Sequence, residues 1–290
     1  MTKEGTPGEC ATIKPMDTIA SAQPVAAPVR VTVGEVYLSI VIPAYNEERR
    51  IGKTLANIRK YLDTRPYTYE VIVSDDGSGD TTIPIIKIIQ EGWPQLRLIA
   101  APTNQGKGAA VKRAMLAAKG KYLLFTDADN ATPIEEIEKL WPYIDVFPVI
   151  FGSRHCRGAH IHIQQARHRK ILSRISNLLI RFVAVPGVSD TQCGFKLFER
   201  NAGKNIFANV KLKRFGFDIE AFVIAKQLGY PFKEVGIDWY NDPDTRVRTS
   251  RDAIRTLIDL FRIKINMLKG KYQHVGYIQD FTLPRRPNLT

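Results

Sequence analysis

The stretch LLFTDADNATP, residues 123–133, decides how the chain is read. An apolar run, Leu123 to Phe125, leads into two aspartates one residue apart, Asp127 and Asp129. Residues i and i+2 leaving a strand point the same way, so both carboxylates can reach one cation. Without a positive partner they repel each other. Hard divalent ions take such oxygens and leave positions for phosphates. The alternative is that Asp129 or Asn130 caps the following helix.

Working outward, the same pattern recurs. VYLSIVIP (36–43), YEVIVSDD (69–76), LRLIAAP (96–102), KYLLFTDAD (121–129) and FPVIFGS (147–153) are short, apolar and bounded by turn residues. Each reads as a buried parallel strand. Helical patterns alternate with them. EERRIGKTLANIRKYL places Ile51, Leu55, Ile58 and Leu62 on one face, and TTIPIIKIIQEG, GKGAAVKRAMLAAKG and PIEEIEKLWPYI follow. Pro133 suits a first helical turn and Gly120 a C-terminal cap. The alternation predicts a doubly wound α/β sheet, with ligands beyond the carboxyl ends of the strands. Four polar loops stand at those ends: PAYNEE, SDDGSGDTT, TNQGKG and DADNATP.

In the second loop, Asp75 and Asp76 can accept bonds from a base or ribose, whereas Gly77 and Asp80 read as turn and cap residues. Lys107, between two glycines at a helix start, offers a phosphate cradle. There is no GxxxxGK[ST] and no GxGxxG, which argues against a P-loop ATPase and a dinucleotide-binding dehydrogenase. The three cysteines are far apart, with no CxxC pair, which favours a reducing compartment.

A net charge of +13 calls for an anionic partner: nucleic acid, anionic lipid or a phosphorylated substrate. No acidic residue occurs over residues 152–189, which carry seven Arg/Lys and four of the five histidines. An apolar stripe runs through Ile171, Ile175, Leu178, Leu179 and Phe182. A second runs through Ile254, Leu257, Ile258, Phe261, Ile265 and Leu268, with Arg251, Arg255, Arg262, Lys264 and Lys269 on its other faces. Basic amphipathic helices of this kind belong either to a core or to a membrane interface. No apolar run reaches the ~20 residues of a membrane span, so a cytoplasmic protein touching a membrane only from its surface is expected. Residues 1–35, rich in Ala, Pro, Thr and Val, read as a disordered tail.

Taken together, SIVIPAYNEE, VIVSDDGSGDTT, GKGAAVKRAM, FTDADNATP, GSR and DTQCGFKLF resemble family 2 glycosyltransferases of the GT-A fold, in the branch of the dolichyl-phosphate glucose synthases and their polyprenyl-phosphate counterparts. The resemblance implies a Rossmann-like GT-A domain over 36–245, with a nucleotide-binding half (36–150), an acceptor half (151–245), and a C-terminal amphipathic helix and tail (246–290). It implies that Pro43, Tyr45 and Glu47 line the nucleotide and that Asp75 and Asp76 contact the uridine. Lys107 is placed on the nucleotide side. Asp127 would face nucleotide or sugar, and Asp129, with Asp127, would hold Mg²⁺ or Mn²⁺. Arg154, Arg169 and Ser173 match the positions that hold an acceptor phosphate, with Asp190 and Gln192 beside them. Ala131 stands where some relatives place a further glutamine ligand. Asp190 is open to two roles, base for a hydroxyl acceptor or organiser of the acceptor loop. Cys193 reads as a small buried residue.

The expected activity is inverting transfer of a hexose, glucose from UDP-glucose, to a polyprenyl or dolichyl phosphate at the cytoplasmic face of an anionic membrane. Two alternatives stand beside it: the same donor chemistry on a soluble acceptor, and a basic nucleic-acid-binding protein. The second lacks a recognition-helix or base-stacking signature, so no nucleic-acid partner is expected.

Overall fold

The computed structural model describes residues 12–13, 35–162, 188–240 and 249–273. One sheet organises them. Its strands are β1 (Thr12–Ile13), β2 (Leu38–Ala44), β3 (Tyr69–Asp75), β4 (Leu96–Ala100), β5 (Tyr122–Thr126), β6 (Val149–Ser153), β8 (Phe195–Glu199) and β9 (Phe232–Gly236). The order is β1-β9-β6-β8-β5-β2-β3-β4. A separate parallel pair joins β7 (His160–Ile161) to β10 (Asp238–Trp239).

Strands β4, β3, β2 and β5 are parallel, as the sequence pattern predicts. Beyond β5 the sheet departs from a doubly wound order. β8 lies antiparallel between β5 and β6, and β6 is parallel to β9. β1 adds a two-residue antiparallel edge from within the expected tail.

The sheet is covered on both faces, so its strands alternate between two cores. Ile40, Ile42, Tyr122 and Leu124 face one core with α1 (Ile51–Leu62) and α2 (Thr82–Glu91). Val41, Leu123 and Phe125 face the other, with α3 (Lys107–Ala117), α4 (Arg200–Asn209) and α5 (Phe217–Gln227). The helix α6 (Thr249–Leu268) packs outside α5 through Leu260 and Ile263.

Two helical expectations change. PIEEIEKLWPYI forms 3-10 turns at Ile134–Lys139 and Trp141–Tyr143, where Pro142 has no N–H to continue an α-helix. Gly120 is not a C-cap, since α3 ends at Ala117. It is there because its Cα passes against Ser39, and a Cβ would lie 2.5 Å from the Ser39 nitrogen.

One detail opens the crevice. β2 pairs with β3 as far as Ala44 but with β5 only as far as Val41. Pro43, which has no N–H to donate, stands where pairing to β5 has ended. The carboxyl ends of β2 and β5 therefore diverge, at the point where α1 and α3 go to opposite faces. That is the switch point at which open α/β sheets bind ligands.

Candidate active site

The loops after β2 and β3 are stitched together. Asn46, at a φ of 54°, accepts from the Gly79 N–H at 2.8 Å, and its own N–H donates to Ser78 Oγ at 2.8 Å. The Glu47 N–H donates to Thr82 Oγ1 at 2.7 Å, and its carboxylate accepts from the Nε–Nη2 edge of the Arg50 guanidinium. Glu48 accepts from the Thr81 N–H and hydroxyl, while the Glu48 N–H donates to Asp80. These bonds leave Pro43 buried and Tyr45 41% exposed above the crevice.

The two aspartates after β3 spend their carboxylates on the protein. Asp75 accepts from the Gly77 and Ser78 N–H groups and from the Ser78 hydroxyl. Asp76 accepts from the N–H groups of Gln105, at 3.1 Å, and Gly106, at 2.6 Å, and so pins the TNQGKG loop. Its other oxygen is 3.6 Å from the Arg113 guanidinium, an ion pair without hydrogen-bond geometry. Both aspartates are buried, and Asp76 Oδ1 has no hydrogen-bond partner among the described residues.

The TNQGKG loop that carries Lys107 is held from two sides. Gln105 and Gly106 give their N–H groups to Asp76, and the Ala109 N–H donates to the Lys213 carbonyl at 3.1 Å. Gly106, at a φ of 109°, lets that carbonyl approach, since a Cβ there would lie 2.4 Å from it. Lys107 instead contributes its ammonium, 2.6 Å from Asp127 Oδ1, in an ion pair outside hydrogen-bond geometry. Burial alone would lower the ammonium's pKa, but the charges of Asp127 and Asp218 outweigh it and raise the value.

Asp127 and Asp129 follow β5 on a loop held at both ends. Thr54 Oγ1 of α1 donates to the Ala128 carbonyl at 2.7 Å, and the Tyr240 N–H donates to the Ala131 carbonyl at 2.7 Å. Asp129 accepts from the Ala131 N–H at 3.0 Å, and Asn130 takes a φ of 53°. Behind Asp127 lies Gly194, where a Cβ would stand 2.1 Å from the Asp127 carboxylate.

This pair suits a hard dication. The donors are oxygens only, and among the described residues no cluster of three or more His, Cys, Asp or Glu could hold a metal. Two carboxylates that leave positions for phosphate and water match the ligands that hard divalent cations take. Burial, and then the neighbouring charge of Asp127, raises the Asp129 pKa. A bound dication would reverse that field.

The arginine after β6 is held by the DTQCGFK segment. Arg154 donates from Nε to Asp190 Oδ2 at 2.7 Å and from Nη2 to Oδ1 at 2.9 Å, with its own N–H adding a third bond. Asp190 is fully buried, and its backbone N–H donates to the buried Glu234. Burial would raise the Asp190 pKa, but the Arg154 charge and hydrogen bonds prevail and hold it well below the carboxylate range. A carboxylate so engaged organises the loop, and the Gln192 N–H also donates to it, at 3.3 Å. The Arg154 guanidinium lies 5.3 Å from the Trp239 ring centroid. Arg169 and Ser173 lie outside the described residues, as do His168 and the 171–182 stripe.

The model of glycosyl transferase family 2 matches residues 39–207, more than half the chain. The chain is a family 2 glycosyltransferase. A dolichyl-phosphate beta-glucosyltransferase of Trichomonas vaginalis is 38% identical over 247 residues, 81% of this chain and 73% of that one. The Homo sapiens dolichyl-phosphate beta-glucosyltransferase is 32% identical over 250 residues, 81% and 77% of the two chains. Among solved structures, the mannosyl-3-phosphoglycerate synthase of Rubrobacter xylanophilus superposes with a TM-score of 0.60 at 17% identity, covering 84% of this chain and 78% of that one. The glucosyl-3-phosphoglycerate synthase of Mycobacterium tuberculosis, crystallised with Mn²⁺, UDP and phosphoglyceric acid, gives 0.56 at 22%, covering 78% of each. These neighbours share the GT-A fold.

The glycosyltransferase also holds two site residues that the motifs did not single out. Lys196, 2% exposed on β8, pairs with the buried Asp218 of α5 and donates to the Cys193 carbonyl at 2.6 Å. Lys107 and Lys196 lie 5.4 and 5.5 Å from the Phe125 ring centroid. A lysine between Phe195 and Leu197 in an apolar run was the available signal, because a buried charge requires a partner. Cys193 is buried, and burial pushes its thiol up to about 12, which leaves no thiolate for nucleophilic work. His160 meets Asp238 at 2.9 Å, and His162 stacks on Tyr240 with ring centroids 4.2 Å apart, so both histidines belong to the packing at the β7–β10 pair. No helix among the described residues is long and apolar enough to cross a membrane.

Proposed function

We propose that this glycosyltransferase moves glucose from UDP-glucose to a dolichyl or other polyprenyl phosphate, with inversion, on the cytoplasmic face of an anionic membrane. The observation that carries the reading is the 32–38% identity, over about four fifths of the chain, to proteins named dolichyl-phosphate beta-glucosyltransferases. The site geometry is compatible with it. The donor lies in the crevice between β2 and β5, with Pro43, Tyr45 and Glu47 on one wall and the Asp76-anchored loop on the other.

Asp127 and Asp129 would hold Mg²⁺ or Mn²⁺, which supplies charge to stabilise the departing nucleoside diphosphate. Lys107 adds a fixed positive charge beside Asp127 without reorganisation. A phosphate monoester is already an oxyanion near neutral pH, so the attack needs no general base. The chain's task is to orient it. Asp190 takes the Nε–Nη2 edge of Arg154 and directs the Nη1 edge for phosphate, in the bidentate manner suited to arginine. Arg169 and Ser173 are assigned to the same phosphate.

The test is transfer of labelled glucose from UDP-glucose into the organic phase, with purified full-length protein, a polyprenyl phosphate and Mg²⁺ or Mn²⁺. Label in lipid, lost with EDTA and in Asp129→Ala, is the expected result. Absence of label with folded protein across UDP-glucose, UDP-galactose and GDP-mannose would overturn the lipid-phosphate reading in favour of a soluble acceptor.

A further inference from the structure

Helix α6 has two apolar faces. Leu260 and Ile263 are buried in the second core, and Met267 packs against it. The opposite face carries Ile258, Phe261, Ile265 and Leu268, exposed by 47, 72, 48 and 74%. Their spacing of three, four and three residues forms one straight stripe about 15 Å long. Large apolar side chains in a contiguous exposed row call for a partner.

Charge says which partner. Arg255, Arg262 and Lys269 are exposed along one edge of the stripe and Lys264 along the other. The acid on this part of the helix, Asp259, turns inward against Gly216, where a Cβ would lie 2.5 Å from its carboxylate. Gly216 ends the 211–216 loop, which carries the exposed Lys213, Arg214 and Phe215, the last 47% exposed. The Lys213 carbonyl of that loop is the acceptor for Ala109 beside Lys107. The 211–216 loop, with its exposed Lys213, Arg214 and Phe215, thus links the flank of α6 to the rim of the crevice.

We propose that the outer face of α6, continued by the 211–216 loop, is the surface on which the protein lies in an anionic lipid interface. The proposal rests on the reading of the acceptor as a lipid phosphate and adds which face meets the bilayer. An apolar stripe between basic edges places side chains at the acyl boundary and cations among headgroups. A second copy of the chain fits worse. A two-fold contact through this stripe would bring the basic edges of both copies together. A membrane meeting α6 also meets the crevice rim, where a headgroup phosphate would enter.

The experiment is co-sedimentation of the full chain with vesicles of phosphatidylcholine alone and with about one third phosphatidylglycerol. The wild type is expected on the anionic vesicles and to be released by salt. Phe261→Ser/Leu268→Ser is expected to lower partitioning at least about tenfold. Lys264→Gln/Lys269→Gln is expected to lower it about 25-fold, near fivefold per charge. Lys53→Gln/Lys60→Gln, exposed on α1 across the sheet, should leave it unchanged. All substituted side chains are exposed, and unchanged melting temperatures verify folding. Equal loss in the α1 pair, or no wild-type partitioning, overturns the proposal. So does a wild-type dimer that becomes monomeric in the serine variant while vesicle binding persists. Transfer to a short-chain polyprenyl phosphate in detergent does not require this surface. It reads the proposed activity separately, so either idea can fail alone.

Discussion

Substituting Gly194 with alanine tests whether Asp127 owes its place to the absence of a side chain behind it. The new Cβ would stand 2.1 Å from Asp127 Oδ2 and 2.5 Å from its Cγ. Non-bonded heavy atoms settle near 3.5 Å, so the carboxylate must retreat by more than about 1 Å. Aspartate has a short stem, and both its Cγ and its oxygen are in conflict, so rotating the tip does not relieve the overlap. A displacement of this size in a positioned group costs about 10²-fold in rate, near 2.7 kcal/mol on the barrier. Stability responds less. The Lys107–Asp127 pair is partly exposed and contributes about 0–1 kcal/mol. Overpacking adds about 1–3 kcal/mol, and the stiffer unfolded chain returns about 0.4–1. The assay is kcat for transfer alongside a urea melt, with Gly92→Ala, where the added Cβ meets nothing within 4 Å, as control. A Gly194→Ala enzyme with wild-type kcat would refute the reasoning, and a loss shared by Gly92→Ala would assign it to something other than Asp127.

Two further substitutions probe the buried ion pairs. Asp190→Asn leaves the Arg154 charge uncompensated and should cost about 3–5 kcal/mol by urea denaturation at pH 7. Because the folded pKa of Asp190 is depressed, its contribution is complete above about pH 4. The gap between wild type and Asp190→Asn should therefore narrow only below that pH. Lys196→Met leaves Asp218 buried without its cation and should cost a similar ~3–5 kcal/mol at pH 7. Burial already raises the Asp218 pKa, with Lys196 opposing it, and losing Lys196 raises it further. Protonation then relieves the deficit, so this gap should begin to narrow well above pH 4. Identical pH profiles for the two deficits, in matched melts, would contradict both assignments.

Strands β2 to β5 and their loops were legible because each ends an apolar run with polar residues. β8 was not. Its FKLFE carries a lysine whose charge is paired by Asp218, more than twenty residues on in the sequence. Its antiparallel direction is set by a long excursion and not by its own residues. The four loops were correctly placed together, but their division of labour was hidden. Asp75 and Asp76 are like any strand-end carboxylates until the positions of Ser78 and Gly106 are known. On α6 the pattern was legible and its direction was not. Its described members Ile258, Phe261, Ile265 and Leu268 face outward, and the core is held by Leu260 and Ile263, which interrupt the stripe. Periodicity locates an apolar face, whereas only the neighbouring helix decides which face is spent on packing.

The position of β8 has a consequence for anyone wishing to re-engineer this enzyme. Its chain partners are β5, which leads to the two aspartates, and β6, which leads to Arg154. A chimaera cut near residue 150 would take that strand from one parent and β5 from the other, and would split β6 itself. Modularity here follows the sheet and not the order of the sequence. The portable unit is the segment between the end of β6 at Ser153 and the start of β8 at Phe195. Exchanging that segment alone keeps every ladder of the eight-stranded sheet within one parent, while Arg154, Asp190 and Gly194 travel with the exchanged piece.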